Sequence, residues 1–125
     1  MKSSLVLGPL AGLLLAAGLM GCGRGGAAPE AVPVGEAPGK VRQAFDSSGA
    51  ELKKAADEAS QALAEGAYDV SLGRIADLSA RADLSPEQRQ ALAQSRIAVM
   101  RKLQEQAAAG DAKANQIMEM HRASK

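Results

Sequence analysis

Hydrophobic positions follow three different patterns along the chain. The run from Leu5 to Leu19 is apolar throughout, and Lys2 is the only charge before Arg24. Residues 23–39 are rich in Gly, Pro and Ala and show no periodicity. From residue 40 onward, apolar residues recur at steps of three and four, which places them on one face of a helix. The pattern therefore predicts a targeting segment over 1–21, a linker over 22–39 and a helical domain over 40–125.

The first helical stretch is expected to run from residue 40 to Gly66. Its predicted buried face comprises Val41, Phe45, Ser48, Leu52, Ala55, Ala59 and Ala62 or Leu63. Ser48 and Glu51 are spaced as a capping box, so the helix either continues through Gly49 or breaks there and restarts. Gly66 stands where a left-handed C-terminal cap is favoured.

A second helix is predicted to begin near Asp69, whose side chain can cap it. Its expected inner face comprises Tyr68, Leu72, Ile75, Leu78 or Ser79, and Ala82.

The third helix has the clearest start signal, because Ser85 is a good N-cap, Pro86 suits the first turn and Gln88 can complete a capping box. We expect it to end at Gly110, with Leu92, Ile97, Val99, Met100, Leu103 and Ala107 facing inward. Asp111 is predicted to cap a short fourth helix whose inner face comprises Ala114, Ile117, Met118, and Met120 or His121.

Short connections of a few residues favour antiparallel packing of neighbouring helices. The predicted fold class is all-α, a small bundle of three to four antiparallel helices arranged as hairpins. Alanine makes up 27 of the 125 residues and favours helix over strand. Because alanine buries little surface, we expect a thin core that is either marginal alone or leaves a groove for a partner.

The N-terminus resembles a bacterial lipoprotein signal. A positive start and an apolar stretch precede small residues, and Leu19, Met20, Gly21 and Cys22 resemble a lipobox. The resemblance implies cleavage before Cys22 and lipid attachment to this residue. Two other interpretations remain open: an uncleaved transmembrane anchor, because the run approaches the ~20 residues that a span needs, or an ordinary thiol at Cys22.

Cleavage would leave a chain from Cys22 to Lys125 with 14 Lys and Arg against 14 Asp and Glu. A net charge of zero leaves acyl chains as the expected means of membrane attachment. The lipoprotein resemblance implies the outer membrane, facing the periplasm, because Gly23 follows Cys22 where inner-membrane lipoproteins often have Asp. The Gly/Pro/Ala linker predicts a flexible tether that does not fold on its own.

The turn around Gly66 resembles that of a tetratricopeptide repeat, with Tyr68 two residues later and Ser71 where the repeat prefers Ala. The resemblance implies peptide or protein binding, and Tyr68, Leu72 and Ile75 are the candidate partner-binding residues. The alternative is an ordinary helical hairpin. The whole stretch from Val41 also resembles short Ala-rich helical lipoproteins that contain a Leu-Ser-Pro-Glu-Gln segment, which supports the fold alone.

Composition excludes several classes of function. A formal charge of +1 gives no basic footprint for nucleic acid. One cysteine precludes an intramolecular disulfide framework. His121 is the single histidine and stands near the C-terminus, where it is expected to be a surface or partly buried side chain. Met100, Met118 and Met120 are expected to fill the core. Six charged residues are expected to lie on solvated helix faces: Arg74, Asp77, Arg81, Arg89, Arg96 and Lys102.

No phosphate-binding loop, nucleophile motif or paired-carboxylate motif is present. We therefore predict no enzyme activity, no cofactor and no metal. The expected function is an envelope protein that offers a helical interaction or structural surface to another envelope protein. A periplasmic carrier of small hydrophobic ligands is the alternative.

Overall fold

The computed structural model describes residues 32–125. The predicted signal peptide, the lipobox with Cys22 and most of the predicted tether lie outside these residues. Five helices make up the described part of the chain: α1 (Ala37–Phe45), α2 (Ala50–Ala64), α3 (Tyr68–Ser79), α4 (Pro86–Ala108) and α5 (Ala112–Ala123). Residues 32–125 contain no strand, so the predicted all-α class is confirmed.

The helix count exceeds the expected three to four because the first stretch breaks at Gly49, as the second interpretation of that segment allowed. Gly49 is the N-cap of α2 at φ −59° and ψ 161°. The capping box predicted from Ser48 and Glu51 was wrong, because no side chain caps α2. The Ser48 hydroxyl instead accepts a hydrogen bond of 2.9 Å from Gln88 Nε2. The Ser48 hydroxyl therefore bonds to a residue distant in sequence and does not cap α2.

Helix α1 begins earlier than the pattern predicted. It starts at Ala37, three residues before the expected Lys40, and Pro38 occupies its first turn, where the missing proline N–H costs nothing. Val32 and Val34, which belong to the predicted tether, pack against the core. The chain therefore contacts the core from Val32 onward, before α1 begins.

Two predictions for α3 were wrong. Its N-cap is Ala67, which forms no side-chain cap, whereas Asp69 lies in the first turn. A carboxylate there still faces the positive end of the helix dipole, so an acidic residue suits either position. The helix ends at Ser79, and Ala82 lies beyond it and is exposed rather than on the inner face.

The signals at α4 and α5 are confirmed. The Ser85 hydroxyl accepts from Gln88 N, and the Gln88 side chain accepts from Ser85 N, so the capping box is complete. Asp111 Oδ1 accepts from the backbone of Lys113 and Ala114. Gly66 and Gly110 have φ values of +73° and +96°, a conformation that glycine adopts without a Cβ penalty.

Helix α4 is the centre of the domain, because it packs against α1, α3 and α5. The largest fully buried side chains are Phe45, Ile75, Leu92, Leu103, Val41 and Val99. Three serines are also fully buried, and each hydroxyl donates to a carbonyl of its own helix: Ser60 to Ala56, Ser71 to Tyr68 and Ser95 to Ala91. Small side chains whose polar atoms are bonded within the helix let neighbouring helices approach closely without leaving a buried donor unpaired.

Gln88 connects the start of α4 to the end of α1. Its Nε2 donates to the Ala44 carbonyl at 3.2 Å and to Ser48 Oγ, while its Oε1 accepts from Ser85 N at 3.0 Å. The Ala44 carbonyl belongs to the last turn of α1, whose carbonyls have no partner within the helix.

Replacing Gln88 with Glu keeps the acceptor for Ser85 and removes both donors. We expect Gln88→Glu to lower the free energy of unfolding by about 1–3 kcal/mol, because the partly buried Ala44 carbonyl loses its donor and faces a carboxylate. Urea unfolding followed by circular dichroism measures the change. The control is Gln90→Glu, the same substitution at an exposed position of α4. Equal stability of the two variants would show that the Gln88 bonds contribute nothing.

Candidate binding groove

A groove of about 570 Å³ lies over α4 between α3 and α5, and we call it the α3–α5 groove. Three helices supply its lining with similar spacing. The residues are Asp69, Leu72, Gly73, Ile75, Ala76 and Ser79 from α3, Arg89, Leu92, Ala93 and Arg96 from α4, and Ile117, Met120 and His121 from α5 with its C-cap Ser124. On α4 and α5 the four positions follow the i, i+3, i+4, i+7 pattern of one helix face.

The floor of the groove is apolar. Leu72, Ile75, Leu92 and Ile117 are each at most 7 % exposed, belong to one buried core cluster and line the groove. The walls are low, because small residues such as Gly73 line them, and Met120 stands at the edge with 53 % of its surface exposed. The groove therefore offers an open apolar surface rather than an enclosed cavity.

The candidate partner-binding residues are divided between groove and core. Leu72 and Ile75 lie on the groove floor. Tyr68 does not line the groove, since it is partly buried and packs against the core. The expectation that Met120 faces inward was wrong, because within residues 32–125 this residue is 53 % exposed. His121 is partly buried on the groove wall, within the range expected for it.

The connection between α3 and α4 is held by two arginines. Arg89 donates to the carbonyls of Leu84 at 3.3 Å and Ala82 at 3.1 Å. Arg81 Nε donates to Asp83 Oδ1 at 3.2 Å, and this hydrogen bond is the main reason that the pKa of the Asp83 carboxyl lies below its ordinary value. These contacts fix the loop and with it the spacing of α3 and α4 along one wall of the groove.

Asp69 and His121 are the groove residues with acid–base chemistry, but among residues 32–125 their side chains form no hydrogen bond to each other or to another side chain, and only the backbone carbonyl of His121 accepts one, from Ser124 Oγ. A general base needs an orienting partner to act. Over the same residues, no group of three or more His, Cys, Asp or Glu is arranged to hold a metal ion. The geometry favours binding through the apolar floor.

The sequence did not identify Gly73 as a functional residue, and it predicted Leu92 and Ile117 to face inward but not to line a binding groove. The signal that could have found them is the shared helical spacing of small and apolar residues on three segments. That spacing identifies an inner face but leaves open whether protein or solvent covers it.

Within residues 32–125, no helix combines the length and the apolar character that crossing a bilayer requires. Comparison with protein-family models, with curated proteins and with solved structures gives no match to this chain.

Proposed function

We propose that this protein is a lipid-anchored envelope protein that binds an amphipathic helix of another envelope protein in the α3–α5 groove. The anchor in this proposal is an acyl-modified Cys22, which is supported by the lipobox-like residues Leu19 to Cys22. The domain faces the periplasm from the outer membrane. The observation that carries the binding role is the open apolar floor of the groove beside the exposed Met120.

The shape of the groove suits a helix. Its two walls, α3 and α5, have 12 residues each, which corresponds to about 18 Å at 1.5 Å per residue. A partner helix of about three turns would match this length and could place apolar residues against Leu72, Ile75 and Ile117. Recognition of this kind uses one apolar stripe of the partner. Met120 is suited to the edge, because its flexible thioether adapts to different surfaces.

Gly73 provides a test of the groove with little risk to the fold. It lies within α3 on the groove wall, and a Cβ built there meets nothing within 4 Å. We expect Gly73→Ala to raise the free energy of unfolding by about 0.5–1 kcal/mol, because alanine loses less backbone entropy in a helix. Gly73→Gln should project a long polar side chain across the groove and block a partner helix.

The experiment places a photoreactive amino acid at Met120 in the full chain and illuminates intact cells. We expect a crosslinked adduct of discrete mass that persists in Gly73→Ala and is lost in Gly73→Gln. The matched control is Gly39→Gln, since Gly39 in α1 also has open space around its Cβ but lies away from the groove. An adduct that survives Gly73→Gln, or no discrete adduct at all, contradicts helix binding in the groove.

A hydrophobic-ligand carrier is the second candidate, and the volume of the groove favours it. Small-molecule sites occupy about 300–1,000 Å³, a range that includes this groove. A carrier would bind a hydrophobic dye such as anilinonaphthalene sulfonate in stoichiometric amount, and the Gly73→Gln variant would not bind it. Dye binding of this kind, without a discrete protein adduct at Met120, would replace the interaction proposal with the carrier.

A further inference from the structure

A second surface lies between α4 and α5 on the other side of Arg96 and His121. It surrounds a hollow of about 280 Å³ lined by Arg96, Ile97, Met100, Arg101, Gln104, His121 and Lys125. We call this surface the basic face. Its lining holds three basic side chains and no acidic side chain, and it also includes the partly buried apolar side chains of Ile97 and Met100.

The positive charges of the basic face are not neutralised by close partners. Arg96, Arg101 and Lys125 form no salt bridge within residues 32–125, whereas Lys102 pairs with Glu105 at 3.8 Å and Arg122 with Glu119 at 2.9 Å. Between Glu87 and Glu105, α4 contains four Lys and Arg and no acidic residue. Arg96 and Arg101 therefore present positive charges that are available to pair with an anionic surface.

The balanced net charge of the chain conceals a segregation along the described domain. Residues 32–83 hold six Lys and Arg against nine Asp and Glu, whereas residues 84–125 hold seven against four. The positive excess lies on α4, α5 and their connections, where the basic face is. A net charge of zero thus does not exclude electrostatic attachment, because one side of the domain is cationic.

The chain enters the domain beside the basic face. Residues 32–34 share a second hollow with Ala98, Arg101, Lys102 and Glu105, so Arg101 lines both hollows. Cys22 precedes Val32 by ten residues, and ten residues span at most about 33–36 Å when fully extended. An anchor at Cys22 would therefore hold the entry point, and the basic face next to it, close to the membrane.

We propose that the basic face docks on the anionic phospholipid surface of the membrane that carries the anchor. This inference builds on the proposed acylation of Cys22. Each Lys or Arg near an anionic surface strengthens attachment about fivefold, the equivalent of about 1 kcal/mol. The short chain to the anchor raises the effective concentration of the surface.

The test uses the full chain, purified from bacterial membranes in detergent and mixed into two kinds of vesicle. One kind contains phosphatidylcholine alone, and the other also contains phosphatidylglycerol. An environment-sensitive fluorescent amino acid replaces Gln104 on the basic face. We expect a blue shift of its emission that is larger with phosphatidylglycerol and that disappears at about 0.5 M salt, where the Debye length is only a few ångströms.

The double variant Arg101→Gln/Lys125→Gln should lower the docking constant about 25-fold, since it removes two cations. Both residues are exposed and neither lines the α3–α5 groove, so the fold and the adduct at Met120 should persist. The matched control is Lys53→Gln/Lys54→Gln, which removes two exposed cations from α2 and should leave the shift unchanged.

Flotation of the vesicles separates this proposal from the anchor. A protein that floats with both kinds of vesicle but gives the same emission in each has an anchor and no docking face, which overturns the inference alone. Flotation with phosphatidylglycerol vesicles only, sensitive to Arg101→Gln/Lys125→Gln, supports the basic face and contradicts the anchor. No flotation with either kind overturns both. Lipid docking is also overturned if Lys53→Gln/Lys54→Gln reduces the blue shift as much as Arg101→Gln/Lys125→Gln does. A blue shift that an acidic peptide produces and vesicles do not produce overturns it as well.

Discussion

Replacing Phe45 with alanine should lower the free energy of unfolding by about 3–5 kcal/mol, the range for deleting a buried aromatic ring. Phe45 is the only phenylalanine in the chain, is 0 % exposed and heads the set of fully buried side chains by size. It ends α1, the helix that packs against both α2 and α4. The buried residues of α2, which packs against α1, are mostly Ala and Ser, and such short side chains cannot fill the space that the ring would leave.

Urea unfolding of the full chain measures this effect. Val70→Ala is the control, because Val70 is 49 % exposed and substitutions at such surface positions usually change stability by less than about 0.5 kcal/mol. A small domain has a total stability of about 5–15 kcal/mol, so Phe45→Ala should remove a large part of it. A loss no larger than that of Val70→Ala would mean that the Phe45 ring does not organise the core.

Replacing Cys22 with serine should transfer the protein from the membrane fraction to the soluble fraction. Serine offers no thiol for lipid attachment, and the charges of the chain are too few to replace acyl chains. A single myristoyl chain gives an association constant of about 10⁴ M⁻¹ and two chains give stable anchoring. We therefore expect the membrane-bound share to fall from nearly all of the protein to a minority that depends on salt.

Fractionation of cells at low and high salt, followed by intact mass of the purified protein, measures this change. Met20→Ala is the matched control, because it leaves Leu19, Gly21 and Cys22 in place and should keep the acylated mass. An uncleaved transmembrane anchor predicts that Cys22→Ser remains in the membrane at every salt concentration. That outcome would contradict acylation at Cys22.

Local signals in the sequence predicted four of the ten helix ends. The capping box of Ser85 and Gln88, the cap by Asp111 and the stops at Gly66 and Gly110 all depend on neighbours within a few residues. Such interactions can be read from spacing because their partners are fixed by the chain itself. The all-α class follows from the same periodicity.

Features that depend on distant partners could not be predicted in this way. Ser48 matched a local cap, but Gln88, 40 residues later, takes its hydroxyl. Met120 matched an inner face, but it is exposed in the described part of the chain. Leu72 and Ile75 were identified as binding candidates, whereas the contribution of α5 to the same groove emerges only when three helices are placed together. Helical spacing defines a face, and only the packed structure shows what covers it.

The pairing of α1 with α4 has a consequence for the order in which the domain folds. The other principal helix pairs, α1 with α2, α2 with α3, α3 with α4 and α4 with α5, join neighbours in the chain. Local contacts of this kind form rapidly, because little loop entropy is lost. Bringing α4 back to α1 closes a loop of about 40 residues, so the Gln88 bonds to Ala44 and Ser48 should form late. The helical hairpins can then assemble as the chain emerges, and the return of α4 completes the bundle.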